Sequence, residues 1–195
     1  MKQFLKVTAL AACLLLGACA KTPQQQVEVR QSLPQPKTWQ IGNYVDEFGE
    51  PTGRKYVYTT IEGGTFSNSA TQNSQLTAIV EPFRVANISG DTVGGVTFRL
   101  LEYGKHPAKG KGVLNISVKD NDGHVIKGLG YNDNRGTVTI EPNAVTGFNG
   151  DTIFSMLKAG GHVMFSIETA KAPYSTYKFS IINAEGLMEA IEVVK

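Results

Sequence analysis

Apolar and polar side chains alternate with a period of two along most of the chain after residue 40. In one such segment Leu114, Ile116 and Val118 are separated by Asn115 and Ser117. Successive side chains of a β-strand point to opposite faces, so this pattern predicts strands with one buried and one exposed face. Such strands are typical of antiparallel sheets. The same alternation occurs in segments 56–61, 76–80, 96–103, 137–141, 163–168 and 177–181.

Turn-forming residues separate these predicted strands. Gly63-Gly64, residues 107–112 and residues 132–136 are rich in glycine, asparagine, aspartate or proline. The segment 120–123, Asp-Asn-Asp-Gly, lies between two strand-like runs. An Asp-Gly pair readily adopts the positive φ angles of a tight turn, so we expect a hairpin there.

One short segment has the pattern of a helix. Asp151 is suited to cap a helix over residues 152–159, because its carboxylate can accept hydrogen bonds from backbone N–H groups of the first turn. Gly160-Gly161 is expected to end this helix, since glycine adopts the left-handed conformation common just after a helical C-terminus.

A second helix is predicted near the C-terminus, over residues 184–193. It places Leu187, Met188 and Ile191 on one apolar face. Seven or eight short strands with two accessory helices predict a mainly β fold, an antiparallel sandwich or barrel. The last helix would pack against a sheet or over an open end.

The amino-terminal residues follow a different pattern. Lys2 and Lys6 form a charged start, residues 7–16 are mostly apolar, and small residues follow. This is the three-part pattern of a secretory signal peptide, predicted here over residues 1–18. The apolar run is shorter than the roughly 20 residues that a permanent membrane span needs.

The end of this signal resembles the lipobox of bacterial lipoproteins. Leu16-Gly17-Ala18-Cys19 has the required leucine, two small residues and cysteine. The resemblance implies a diacylglycerol thioether on Cys19 and cleavage between Ala18 and Cys19. Ala20, rather than aspartate, follows the cysteine, which in this family implies the outer membrane. An ordinary signal peptide with a chance cysteine is the alternative.

Composition divides the rest of the chain into a tether and one domain. Residues 19–38 are rich in glutamine and proline and have few large apolar side chains, so a flexible tether is expected. Trp39 and Ile41 mark the start of a single β-rich domain over residues 39–195. Cys13 leaves with the signal, so no cysteine besides Cys19 remains for chemistry.

The charge balance argues against nucleic acid as a partner. The chain has 19 basic and 17 acidic residues, and loss of Lys2 and Lys6 leaves 17 of each. A nucleic-acid-binding domain is expected to carry a clustered basic excess.

The sequence contains no recognisable metal motif. His106, His124 and His162 lack the spacing of zinc ligands. Segment 120–123 lacks the spacing of a calcium loop, and Tyr131 stands where an EF-hand needs glutamate. We therefore expect no metal and no cofactor.

Motifs of hydrolytic catalysis are also missing. The sequence has no Gly-x-Ser-x-Gly segment, and the mature chain offers no thiol nucleophile. A catalytic triad is defined by geometry rather than by order, so a hydrolase acting on cell-wall or lipid material stays the alternative function.

Two loops are candidates for contact with a partner. Residues 104–112 resemble a phosphate-binding loop only superficially, because the final Ser or Thr and the following helix are missing. Lys105, Lys109 and Lys111 could instead touch anionic lipid headgroups or an acidic partner. The uncharged segment 65–75, rich in hydroxyl and amide side chains, is either a solvated connection or an adaptable contact surface.

The predicted domain is loosely similar to small periplasmic β-sandwich domains such as the type VI secretion accessory protein TagO. The resemblance rests on the run of strands that closes in residues 177–182 and is followed by an amphipathic end. Those domains carry cysteines that are absent here. We expect a membrane-anchored envelope lipoprotein whose β-domain is a non-enzymatic binding or accessory module for another envelope component.

Overall fold

The computed structural model of the chain describes residues 38–86, 92–143 and 145–194. This part is mainly β, which confirms the predicted fold class. Its two helices are α1 (Gly150–Ala159) and α2 (Leu187–Val193). Its strands are β1 (Gln40–Val45), β2 (Pro51–Ser67), β3 (Ser74–Ala86), β4 (Thr92–Glu102), β5 (His106–Pro107), β6 (Gly112–Lys119), β7 (Val125–Asn132), β8 (Thr137–Glu141), β9 (Val163–Thr169) and β10 (Thr176–Ile181).

Eight of the strands close into an antiparallel barrel. Their order is β2, β10, β9, β6, β7, β8, β4 and β3, and β3 pairs back with β2. Strand β1 extends the sheet from β2, and the short β5 pairs with β4. Because the sheet closes, each of these eight strands pairs with a neighbour on both sides over at least part of its length. Of the two predicted architectures, a sandwich and a barrel, the barrel is therefore the one found.

The alternating pattern of the sequence becomes the inside and outside of this barrel. Every second side chain of a strand points inward, where it is buried against side chains of the opposite wall. Burial of one such side chain contributes about 1.5–3 kcal/mol to the free energy of unfolding. The barrel interior is therefore the main source of stability. The inward-facing residues include Leu114, Ile116, Val118, Val163, Phe165, Ile167, Tyr177, Phe179 and Ile181.

Helix α1 begins one residue before the predicted cap. Asn149 is the capping residue, and its Oδ1 accepts a hydrogen bond from the Thr152 N–H at 2.8 Å. Asp151 lies in the first turn and accepts a hydrogen bond from the Gly94 N–H instead, at 2.7 Å. The predicted cap was therefore wrong, although an acid in the first turn still suits the helix dipole. Gly160, with φ of 84°, ends the helix as expected.

Helix α2 starts later than predicted. Gly186 has a left-handed φ of 83°, so residues 184–186 precede the helix rather than belong to it. Leu187 and Ile191 are buried, and Met188 packs partly buried against the same core. The predicted apolar face is confirmed.

The residues just before β1 contact the connection between β10 and α2. Trp39 is buried, and its Nε1–H donates a hydrogen bond to the Ala184 carbonyl at 2.8 Å. The Thr38 hydroxyl donates to the Asn183 carbonyl at 2.6 Å. The beginning of the domain is thus tied to residues some 145 positions later.

Two hairpin segments extend beyond the strand pairings that close the barrel. Strand β2 has 17 residues, and its first part pairs with β1 rather than with a barrel strand. Residues 40–58 form this first arm. The second arm consists of residues 82–86 of β3 paired with 92–96 of β4. Both arms leave large apolar side chains exposed.

The predicted signal peptide, the predicted lipobox with Cys19 and residues 19–37 of the predicted tether lie outside the described residues. Thr38, the last residue of the predicted tether, is bound to the domain through Asn183, so the domain begins one residue earlier than predicted. In the part of the chain that is described, neither helix has the length and apolar character needed to cross a membrane.

Candidate functional site

Apolar side chains fill the interior of the barrel. At its centre the ring of Phe98 lies 5.2 Å from that of Phe165 and 6.1 Å from that of Phe179. Phe165 and Phe179 stack at 4.7 Å. All three side chains are buried, so the grooves that a partner or ligand could enter lie on the outer surface.

The three lysines of the predicted basic loop do not share one environment. Lys105 and Lys109 are exposed on either side of β5. The Lys111 Nζ lies 3.5 Å from Glu102 Oε1, and both side chains are largely covered. Lys111 therefore already has a counter-ion within the domain. Contact of Lys105 and Lys109 with headgroups or an acidic partner stays a prediction.

Glu102 links this lysine to the barrel interior. Its Oε1 also accepts a hydrogen bond from the Tyr177 hydroxyl, at 2.8 Å. Burial raises the pKa of the Tyr177 phenol well above its usual value, and the charge of Glu102 raises it further. The phenol therefore stays protonated as a donor. Together the three side chains form a polar cluster that joins β4 and β10 to the start of β6.

His124 pairs with Asp120 where the β6–β7 hairpin turns. Its Nδ1 lies 3.1 Å from Asp120 Oδ2, and the Gly123 φ of 89° provides the predicted left-handed turn residue. Desolvation alone would raise the pKa of Asp120, but hydrogen bonds from the His124 backbone and ring bring it below its usual value. The His124 side chain is 76% exposed. The His124 ring thus faces water, whereas Asp120 also lines a small cavity of about 270 Å³ together with Met156 and Glu185.

Of the other two histidines, His162 lies beside the same turn, because its backbone N–H donates a hydrogen bond to Asn121 Oδ1 at 3.3 Å. His106 is exposed on β5, and His162 follows α1, with its buried Nε2 unpartnered within the described part of the chain. Among residues 38–86, 92–143 and 145–194, no three histidine, cysteine, aspartate or glutamate side chains are grouped to hold a metal.

Tyrosines line one face of the first arm. The ring of Tyr56 lies 4.9 Å from that of Tyr44 and 5.5 Å from that of Tyr58. The Arg54 guanidinium stacks over Tyr44 at 5.1 Å from the ring centroid. Cation–π attraction of this kind holds the Arg54 guanidinium against the face of the Tyr44 ring.

This face borders a cleft of about 660 Å³ between the two arms and α2. We call it the arm cleft. Among the described residues, three basic side chains and no acidic one line it. None of the ion pairs within that part of the chain involves these three side chains. Its described lining consists of Tyr44, Arg54, Lys55, Tyr56, Val57, Pro82, Phe83, Arg84, Val85, Thr92, Ile191 and Val194.

Two aromatic rings of the arm cleft are seated on glycines of the neighbouring strand. Gly42 pairs with Tyr56, and a Cβ at Gly42 would lie only 2.5 Å from the Tyr56 Cζ. Gly95 pairs with Phe83, and a Cβ there would lie 2.3 Å from the Phe83 Cζ. Each ring occupies the space that a side chain at the glycine would take, so a larger residue at Gly42 or Gly95 would displace it.

The uncharged segment 65–75 is shorter as a loop than predicted. Residues 65–67 belong to β2 and 74–75 to β3, so only residues 68–73 connect the strands. This loop faces Tyr174 across a groove of about 660 Å³, which we call the polar groove. It is lined by Ser67, Asn68, Ser69, Gln72, Asn73, Ala172, Pro173, Tyr174 and Thr176.

The sequence pattern anticipated half of the polar groove and none of the arm cleft. Segment 65–75 stood out by composition, whereas Tyr174 lies about a hundred residues further along the chain. The available signal for the arm cleft was the set of aromatic residues at 44, 56, 58 and 83, together with the glycines at 42 and 95. Only strand pairing shows which glycine meets which ring.

Comparison of the chain with models of known protein families, with curated proteins and with solved structures finds no match.

Proposed function

We propose that the protein is a membrane-anchored envelope lipoprotein whose β-barrel is a non-enzymatic binding module, and that the arm cleft is its contact surface for a partner protein. The observation that carries the proposal is the arm cleft itself. It is an open surface of tyrosine, phenylalanine and arginine side chains on a domain whose interior is filled.

The side chains of the arm cleft are those that contribute most to protein interfaces. Tyrosine and arginine are enriched among residues whose loss weakens binding strongly, and phenylalanine is enriched in interface cores. The Tyr56 ring is packed between the rings of Tyr44 and Tyr58 and over the backbone of Gly42. Because its motion is limited beforehand, a partner loses little side-chain entropy on covering it.

Charge favours an acidic partner. Arg54, Lys55 and Arg84 line the arm cleft, and none of its other described lining residues is acidic. Carboxylates of a partner would complement them, and arginine can bind a carboxylate through two parallel hydrogen bonds. Such binding should weaken with added salt, because exposed charges are screened over ~8 Å at physiological ionic strength.

Charge reversal in the arm cleft is expected to abolish partner contact. A photoreactive amino acid at the exposed, uncharged lining position Val85 should cross-link the full-length protein to an envelope protein in its native host. Changing both Arg54 and Arg84 to glutamate should reduce this product about tenfold or more, since both attractive contacts become repulsive. Quantitative mass spectrometry of the cross-linked product measures the change.

The matched control changes Lys127 and Lys171 to glutamate. Both lysines are exposed, lie outside the arm cleft and give the same change in net charge. Cross-linking should persist in this variant. Equal loss in both double variants would mean that net charge alone governs the contact, and an unchanged product in the arm-cleft variant would exclude the cleft.

The anchor is tested separately at the lipobox. Replacing Cys19 with serine should remove the lipidated, membrane-bound form, because the thioether and the predicted cleavage both need the thiol. Cys13→Ser is the matched control, since the sequence places that cysteine inside the signal. Two or more acyl chains make membrane release negligible, so fractionation with intact-mass analysis should separate the variants clearly. A mature amino terminus other than Cys19 would disprove the anchor.

A further inference from the structure

The polar groove lies between two loops at the end of the barrel opposite the arms. Residues 68–73 connect β2 to β3, and residues 170–175 connect β9 to β10. The groove is open to solvent along its length and has a volume of about 660 Å³, room for a ligand that lies against its floor. None of its described lining side chains carries a charge.

Both walls of the polar groove are held by internal hydrogen bonds. In the first loop, Asn68 Oδ1 accepts from the N–H groups of Ala70 and Thr71, at 2.9 and 3.0 Å. In the second, the hydroxyl of buried Thr169 accepts from the Ser175 N–H at 2.8 Å and donates to the Pro173 carbonyl at 3.3 Å. The position of Tyr174, between these last two residues, is therefore set before a ligand binds.

The groove presents an aromatic face beside unused polar groups. Tyr174 is 69% exposed and makes no ring contact with the other described aromatic side chains. The side chains of Ser69 and Gln72 are exposed and form no hydrogen bond with the described part of the chain. Amide and hydroxyl groups can both donate and accept, so they suit a ligand with many hydroxyls.

We propose that the polar groove binds a neutral saccharide. A pyranose ring has an apolar face of C–H groups, which fits the plane of Tyr174, and a rim of hydroxyls, which fits Ser69 and Gln72. A charged ligand would find no counter-charge in the lining. A purely apolar ligand would cover amide and hydroxyl groups without satisfying them, which costs free energy.

Saturation-transfer NMR on the full-length lipidated protein in nanodiscs tests the proposal. The probes are maltotetraose, cellotetraose and tetra-N-acetylchitotetraose, with tetragalacturonate as a charged comparison. At least one neutral probe should bind saturably, with the strongest transfer to its ring C–H protons. Tyr174→Ala should weaken this binding about tenfold or more, Tyr174→Phe should preserve it, and Gln72→Ala should weaken it.

Tyr131→Ala is the matched control, because that tyrosine is also exposed but lies on β7, away from the groove. It should leave saccharide binding unchanged, as should the double charge reversal of the arm cleft. The proposal is overturned if no neutral probe binds up to about 10 mM, a range that covers weak millimolar affinities. Tighter binding of the galacturonate, or equal binding by Tyr174→Ala with an unchanged melting temperature, would overturn it too.

Discussion

Replacing Phe98 with alanine is expected to lower the free energy of unfolding by about 3–5 kcal/mol. The side chain is fully buried and contacts the rings of Phe165 and Phe179 from the opposite wall of the barrel. Phe98 also stands where β4 meets β8, a seam with only two residue pairs, Phe98 with Val138 and Arg99 with Thr137. A cavity at this position weakens the side-chain packing between β4 and β8, and few backbone hydrogen bonds join these two strands. Urea denaturation of the wild type and the variant measures the loss.

Phe48→Ala is the control for this experiment. Phe48 lies in the turn of the first arm and is 82% exposed, so its removal should change stability by no more than about 0.5 kcal/mol. Similar denaturation midpoints for the wild type and Phe98→Ala would mean that the inward-facing side chains of the barrel do not form a tightly packed core.

Adding a single methyl group at Gly128 is expected to cost about 3 kcal/mol. Its Cβ would lie 2.0 Å from Cδ1 and 2.3 Å from Cγ of Phe148, a fully buried ring that precedes α1. These atoms are not the free end of a flexible side chain, so the ring itself has to leave its site. The variant then loses much of the burial of a phenylalanine, in addition to the strain of overpacking. Denaturant unfolding gives the cost directly.

A double-mutant cycle separates this clash from a general effect of alanine. In a Phe148→Ala background, Gly128→Ala should cost little, so the coupling between the two changes should approach the full cost, about 3 kcal/mol. Gly63→Ala in β2 is the matched control, because a Cβ there meets nothing within 4 Å. Equal costs at Gly63 and Gly128, or no coupling with Phe148, would contradict the role assigned to this ring.

The local sequence pattern predicted those features that depend only on residues close together in the chain. The alternation in 114–118 and 163–168 identified side chains that face the interior, because the period of a strand is independent of its partners. The apolar face of α2 was correct for the same reason. The predicted cap of α1 failed because Asn149 and Asp151 are both good capping residues, and only the direction of the incoming chain decides between them.

Pattern also underestimated the length of the strands. Segment 76–80 was predicted where β3 spans Ser74–Ala86, and β1 was not predicted as a strand. The arms are exposed on much of their surface, so their side chains need not alternate between apolar and polar. Hydrogen bonds between the two strands of each arm hold them extended, and the partner strand is invisible to a local pattern.

Sequence alone therefore determined the β class of this protein, many of its inward-facing residues and the residues at which its two helices end, but not where they begin. The resemblance of residues 16–19 to a lipobox stays a prediction. Tertiary structure decided that the sheet closes into a barrel, that rings of the arms rest on glycines, and that segment 68–73 faces Tyr174. The physical reason is distance along the chain. Hydrophobic periodicity acts over a few residues, whereas a cleft is formed by side chains that only strand pairing brings together.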